Sequence, residues 1–238
     1  HLRAMLLGIL LAMGLLIQTI GLDLTTEAVS AFLTSLAVLF VPLLVAIIYR
    51  SLPSSMLVIA IALAVCGVYL LTGASLGSMG YGEWMGVACS VVFSLHLLAL
   101  NRLSAGDTPW RLAAGQFAWV GITLALVTLI AMPPVSQIDF PVFAQPVVWG
   151  NLLLLVAIPT MVSFGLATIF QPQIDPTRAA VIYLLEPIFA SAVAWMLTGR
   201  GLADIALVGA GMILLANIFA EFASRRPPGA LHDDRIAR

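Results

Sequence analysis

Charge is scarce in this chain. Only 9% of its residues are Asp, Glu, Lys or Arg, against about 25% in ordinary soluble domains. Lysine is absent altogether, so the ten basic residues are all arginine. No soluble domain is expected from such an inventory, since 62% of the residues are hydrophobic where about 45 to 50% is usual, and the mean hydropathy is +1.11. The formal net charge of −1 gives no electrostatic ground for binding nucleic acid. Cysteine is nearly absent too. Cys66 and Cys89 fall inside apolar runs with no His/Cys spacing around them, so neither a disulfide nor a metal site is expected and both read as packing residues. There is no H-E-x-x-H and no pair of aspartates at membrane depth. On this evidence an enzyme, a bound metal and a cofactor are not expected.

What is there is a succession of membrane-length apolar runs. A membrane helix needs about 20 mostly apolar residues, and eight runs approach or meet that: 5–22, 28–49, 56–72, 84–100, 112–132, 148–169, 179–197 and 203–219. The expected fold class is therefore an all-α polytopic membrane protein. Gly, Pro, Ser and charged residues punctuate the runs, as in Arg50-Ser51-Leu52-Pro53 and Met132-Pro133-Pro134. The connections are too short to hold a soluble domain, and residues 223–238 read as a basic polar tail. Trp84, Trp110 and Trp149 stand at run ends, where interfacial anchors belong.

Arginine placement gives an expected orientation. Arg3, Arg50, Arg102, Arg111, Arg178 and the four arginines of the tail fall on the side of the N-terminus, and only Arg200 falls opposite. Short basic loops stay in the cytoplasm, which places both termini there and the chain in the cytoplasmic membrane.

Sliding the chain by 151 positions sets Gly14-Leu15 on Gly165-Leu166, Thr26 on Thr177, Phe32 on Tyr183, Leu33 on Leu184 and Leu63 on Leu214. The offset equals five spans, an odd number, so matched spans run in opposite directions across the membrane. That is the layout of an inverted-topology repeat. Two five-helix repeats make ten helices, so two more are expected upstream of these eight. The start at His1 rather than Met agrees with a partial sequence.

The segment Gln18-Thr19-Ile20-Gly21-Leu22, followed by Ala31-Phe32-Leu33-Thr34-Ser35-Leu36, Phe40-Val41-Pro42-Leu43-Leu44 and Leu63-Ala64-Val65-Cys66-Gly67-Val68, resembles the first repeat of EamA-type transporters of the drug/metabolite transporter superfamily. Leu185-Glu186-Pro187-Ile188-Phe189-Ala190, Gly199 and Gly209-Ala210-Gly211-Met212-Ile213-Leu214 resemble the ninth and tenth helices of that family. The resemblance implies that residues 1–73 are the last three helices of a first repeat and 83–222 a second five-helix repeat. It further implies an alternating-access exporter or permease with a central cavity and a small metabolite or drug-like solute as substrate. Two departures stand out: Gly199-Arg200 replaces the Gly-Glu often found after the ninth helix, and Ser51 stands at the corresponding place in the first repeat. Lacking two helices, this stretch alone is expected to transport poorly.

Among candidate site residues the foremost is Glu186, a carboxylate near the middle of the run 179–197. A charge at that depth costs roughly 2.5 to 3.5 kcal/mol on insertion scales and marks a functional site by default. Tyr183, Glu186 and Ala190 follow i, i+3, i+7 and form one stripe. Removal from water favours a neutral carboxyl, which permits protons as a coupling partner. The alternatives at this residue are a cationic solute, a proton or a neighbouring helix. His96 is the other mid-membrane titratable group, beside Ser90 and Ser94, and reads either as a site residue or as a satisfied packing histidine. Gln18 and Gln116 are amides that line a cavity or bridge helices, and Thr34 and Ser35 come near Leu185 and Glu186 through the repeat. Pro42, Pro159 and Pro187 are candidate hinges. Asp175 and Arg178 are gate or cap residues, or simply interfacial anchors. Small-residue faces at Ala60, Ala64 and Gly67 and at Ala206, Gly209 and Ala210 suit tight helix packing, with a homodimer as one use of them. A channel or a structural membrane scaffold remains the rival to a carrier, because a repeat and a buried acid do not demand alternating access.

Overall fold

The computed structural model describes residues 1–50, 52–72, 79–104, 108–131, 140–170, 173, 176–199 and 201–224. Among these there is no strand. Helices α1 (Leu2–Leu24), α2 (Glu27–Ser35), α3 (Ala37–Ile48), α4 (Ser55–Leu71), α5 (Tyr81–Leu103) and α6 (Pro109–Ala131) lead into a short α7 (Phe140–Phe143). Then come α8 (Pro146–Leu155), a π-helical stretch (Val156–Ser163), α9 (Phe164–Phe170), α10 (Pro176–Thr198) and α11 (Asp204–Ser224). Six continuous segments are long and apolar enough to cross a membrane, and Ser55–Leu71 and Tyr183–Thr198 are shorter apolar helices. Each expected span thus has its helix.

The helix ends follow local chemistry. Thr26 and Ser54 cap α2 and α4, their hydroxyls accepting from the N–H groups of Val29 and Leu57 at 3.3 and 3.2 Å. Glu83 lies in the first turn of α5 and Arg102 in its last, each at the end of the helix dipole that favours its charge. Pro109, Pro146 and Pro176 open α6, α8 and α10, where a missing N–H costs nothing. Gly199 follows α10 with φ +66°, a conformation that ends a helix at little cost only for glycine. Trp84, Trp110 and Trp149 each lie exposed in the first turn of a helix.

Two spanning segments are not simple α-helices. The span Glu27–Ile48 is interrupted at Leu36, between α2 and α3. The interruption precedes the candidate hinge Pro42, which is buried inside α3. The span Pro146–Phe170 widens into π geometry around the backbone of Pro159. Thr160 and Ser163 donate their hydroxyls five residues back, to the carbonyls of Leu155 and Ile158 at 3.2 and 3.3 Å, so the wide turn is closed by side chains as well as by backbone. Pro187, by contrast, sits fully buried inside an α10 that continues through it. Ser51, Asp175, Arg200 and the tail from residue 225 lie outside the described residues, as do the side chains of Arg178 and Pro159.

Packing is densest where side chains are smallest. Helix α4 makes its broadest interface with α11, and the small-residue faces of the two helices meet each other within the chain. The backbones nearly touch: a Cβ added at Gly209 would lie 2.5 Å from both the Gly67 carbonyl oxygen and the Leu71 nitrogen. Phe32, Leu33, Leu36 and Leu39 close this core from α2 and α3. A second core joins α1, α3, α5 and α6 through Leu11, Ala12, Ala37, Cys89, Phe93 and Val120. Helix α2 also packs against α10. The pairs α2 with α10 and α4 with α11 are those that the 151-residue offset relates. Much of α8, the π stretch and α10 presents exposed apolar side chains, the surface a lipid environment accepts.

Substituting Gly209→Ala is expected to destabilise the protein by roughly 1 to 3 kcal/mol, because the obstacle is backbone and cannot rotate away. Gly121→Ala, whose added Cβ meets nothing within 4 Å, is the matched control. Thermal melting in detergent measures both, and equal melting temperatures would contradict the close approach.

Candidate functional site

Two polar clusters lie inside the helix bundle, and candidate residues fall in both. The first begins on α1. Gln18 donates from Nε2 to Thr34 Oγ1 on α2 at 3.5 Å, the Thr34 hydroxyl is hydrogen-bonded to the Cys89 sulfur on α5, and Cys89 Sγ donates to the Gly14 carbonyl back on α1 at 3.5 Å. Donors and acceptors run in one direction around this loop, and the short side chains let three helices share it. Helix α10, which carries Tyr183 and Glu186, packs against α2, the helix of Thr34, which brings it to the same region. Gln18, Thr34, Tyr183 and Glu186 therefore gather from three spans, together with a thiol that sequence reasoning assigned only to packing.

Within the cluster Glu186 differs from its neighbours. Gln18, Thr34 and Tyr183 are half-buried and Cys89 is buried, whereas Glu186 is exposed. Among the described residues its carboxylate has no hydrogen-bond or ion-pair partner. The adjacent backbone is provided for: Pro187 brings no N–H, and its own carbonyl accepts the Ser191 hydroxyl at 2.8 Å. The polar surroundings of Glu186 are thus settled while the carboxylate remains open to contact.

The second cluster is fully buried and directional. His96 Nε2 on α5 lies 3.3 Å from Gln116 Oε1 on α6. Gln116 Nε2 donates to Thr168 Oγ1 on α9 at 2.7 Å, and the Thr168 hydroxyl donates to the Phe164 carbonyl at 2.7 Å. Because the Gln116 oxygen only accepts, His96 is the donor in this pairing, with its proton on Nε2. The Phe164 ring meets His96 edge-on with centroids 6.0 Å from Phe93 and 6.4 Å from His96. The chain ties α9 to α5 and α6 immediately after the π stretch. The structure does not bring His96 and Gln116 into the Glu186 cluster.

Ser35, adjacent to Thr34, is engaged elsewhere. Its carbonyl and hydroxyl oxygens accept from Asn217 Nδ2 on α11 at 3.1 and 3.2 Å, and its hydroxyl donates to the Phe32 carbonyl at 2.8 Å. Asn217 thereby holds the interruption between α2 and α3, while its Oδ1 is buried without a hydrogen-bond partner. Sequence reasoning passed over Asn217, although the signal that singled out Gln18 and Gln116, an amide at membrane depth, is equally present there. It also passed over Thr168, for which no signal was available, since a hydroxyl that bonds its own helix looks the same whether or not a second partner exists.

At the helix ends α5 is tied on both sides. Thr25 donates to Glu83 Oε1 at 2.9 Å, and Arg102 donates to the Tyr49 hydroxyl at 2.8 Å while its guanidinium stands 5.5 Å from that ring's centroid. No group of three or more His, Cys, Asp or Glu able to hold a metal occurs among the described residues. One string of catalytic type is present: Gly73-Ala74-Ser75-Leu76-Gly77 matches G-x-S-x-G. It falls in the connection after α4, outside the described residues, and the pattern signals a nucleophile only on a strand-to-helix turn.

Comparison with known proteins sets the chain beside transporters. The EamA-like transporter family matches residues 80–221. An uncharacterized transporter of Archaeoglobus fulgidus is 27% identical over 212 residues, covering 89% of this chain and 66% of that protein, so the chain spans somewhat less than two thirds of the relative's length. A solved crystal structure superposes with a TM-score of 0.60 at 18% identity, covering 92% of this chain and 76% of the other, a likeness of fold alone.

The buried chain makes a measurable prediction. Replacing Gln116 by Leu is expected to cost about 0.6 to 1.7 kcal/mol, the range for hydrogen bonds between membrane helices. A double-mutant cycle with Thr168→Val should give a coupling energy of similar size, read from melting in detergent, and additive single effects would contradict the bond.

Proposed function

The chain belongs to the EamA-like transporter family, and on that premise we propose that it is a secondary transporter moving a small metabolite or drug-like solute across the cytoplasmic membrane by alternating access. Export or permeation, proton coupling and cytoplasmic termini are part of the same reading. The observation that carries it is Glu186: an exposed carboxylate inside a spanning helix, without a hydrogen-bond partner among the described residues, in a bundle whose other mid-membrane polar groups are largely committed to one another. An ionisable group is costly at that depth and persists where it meets a solute, an ion or water. Tyr183 and Thr34, with Gln18 behind Thr34, are the proposed further contributors to the substrate site. The interruption at Leu36 and the π stretch are the proposed places where the spans flex, because each breaks the regular α-helical ladder on a span that faces the site or is tied beside it.

The test is flux in proteoliposomes containing the full-length protein. Saturable flux driven by a proton gradient is the expected behaviour, and unsaturated flux with single-channel currents would replace the carrier by a channel. In Glu186→Gln, which keeps size and removes charge, gradient-driven flux should fall roughly tenfold or more, the effect of losing a charged interaction of about 1.5 to 3 kcal/mol. Membrane insertion should be unchanged. Flux and pH dependence equal to the unaltered protein's would remove Glu186 from the mechanism.

A further inference from the structure

Asn217 is a polar side chain fully buried in α11, and it bonds both oxygens of Ser35 across the bundle. Resting on the reading of Thr34 as part of the transport site, we infer that Asn217 is a positioning residue for that site: through Ser35 it fixes the rotation of α2, and so the direction in which Thr34 is presented.

The geometry begins on α11. Gly209, Ile213 and Asn217 follow one another at intervals of four and share a face of the helix. That face cannot turn freely. A Cβ added at Gly67 on α4 would lie 2.8 Å from both the Gly209 carbonyl oxygen and Ile213 Cγ1, and Ile213, Ala216 and Ala220 are fully buried in the core that also holds Phe32, Leu33 and Leu36. The amide therefore projects from a fixed support. Its own orientation is fixed too: the Ser35 carbonyl only accepts, so Nδ2 faces it, and Oδ1 is the atom left buried without a hydrogen-bond partner among the described residues.

The receiving end is the last turn of α2. Carbonyls there have no partner within their own helix, and Asn217 supplies one to Ser35, the final residue of α2, at 3.1 Å. A second bond, to the Ser35 hydroxyl at 3.2 Å, fixes direction as well as distance. Successive residues of an α-helix lie about 100° apart around its axis, so turning Ser35 to α11 turns Thr34 elsewhere. It faces α1, where Gln18 Nε2 meets its hydroxyl at 3.5 Å, and α10 packs on the same short helix. With nine residues, α2 is held at its start by the Thr26 cap and at its end by Asn217.

A buried acceptor left unpaired costs stability. A leucine of similar size would avoid that cost, and a polar group kept in spite of it is accounted for when it selects one arrangement among several. Here the arrangements differ in which residue of α2 faces the site. Without the amide, a turn of about 100° puts Ser35 where Thr34 stands.

The experiment measures which of the two residues meets water. Thr34→Cys and Ser35→Cys are made separately in the full-length protein, with Cys66→Ala and Cys89→Ser removing the native thiols; Ser35→Cys keeps the carbonyl that Asn217 bonds. Permeabilised membranes are treated with 2-(trimethylammonium)ethyl methanethiosulfonate, which modifies thiols that water reaches. Thr34→Cys should react about tenfold faster than Ser35→Cys. Adding Asn217→Leu should shrink that ratio roughly threefold or more, the effect of losing hydrogen bonds between membrane helices. Asn217→Ala loses the same bonds without crowding and serves where Asn217→Leu does not fold. Gln116→Leu weakens the bundle in the other polar chain and should leave the ratio unchanged, which separates positioning from general loosening. A ratio unaltered in the folded Asn217 variants, a ratio lowered as much by Gln116→Leu, or rapid reaction of Ser35→Cys and Thr34→Cys alike would each overturn the assignment. Slow reaction of both would instead remove Thr34 from a water-lined transport site, the reading on which the positioning role rests.

Discussion

A hydrocarbon layer supplies no hydrogen bonds, and most of what is distinctive in this protein follows from that. Every polar group at depth has to find a partner inside the chain. Lone hydroxyls solve the problem within their own helices. Thr19, Thr72, Thr168 and Ser191 donate to carbonyls four residues back, and Ser90 and Ser94 to carbonyls three back. The larger polar groups cannot do so and must bridge helices instead. Gln18 is answered by Thr34, Gln116 by His96 and Thr168, and Asn217 by Ser35. Against this background the Glu186 carboxylate, which like the buried Asn217 Oδ1 has no hydrogen-bond partner among the described residues, is conspicuous as the one of the two that carries a charge.

The same solvent removes the ordinary hydrophobic drive for helices to associate, which leaves close packing and interhelical hydrogen bonds to hold the bundle. Small residues serve the first need. The Gly67 and Gly209 backbones come so near that no side chain fits between them, and this contact joins α4 to α11. The bridging amides serve the second. Together they produce a well-packed region around α4 and α11 and a second around α1, α5 and α6, between which α2 and α10 face one another. The Glu186 cluster lies where these two regions adjoin, drawing residues from α1, α2, α5 and α10.

Among the described residues irregular helix geometry falls in two spans and is stabilised at each. Asn217 bonds the carbonyl of the residue at which α2 stops. The π stretch has its wide turn reinforced by Thr160 and Ser163, and the helix after it is pinned by Thr168. Irregular backbone at membrane depth is costly unless such partners are present. Their presence makes both irregularities regular parts of the fold. Proline alone does not locate them: Pro187 and Pro42 lie inside continuous helices, whereas the interruption at Leu36 depends on an asparagine from the far end of the chain.

Sequence alone determined the all-α membrane class, the approximate ends of the apolar helices and the family. Those properties are local. Hydropathy over some twenty residues, a capping hydroxyl or a proline at a helix start acts within one segment, whatever surrounds it. What tertiary structure decided was the company each polar side chain keeps. Thr34 and Ser35 are adjacent in the chain, yet one faces Cys89 toward the Glu186 cluster and the other is held by Asn217. His96 and Gln116, candidates for the same site as Glu186, belong to a separate buried chain with Thr168. A hydrogen bond between helices depends on rotation and distance set by packing over many residues, and no single segment carries that information.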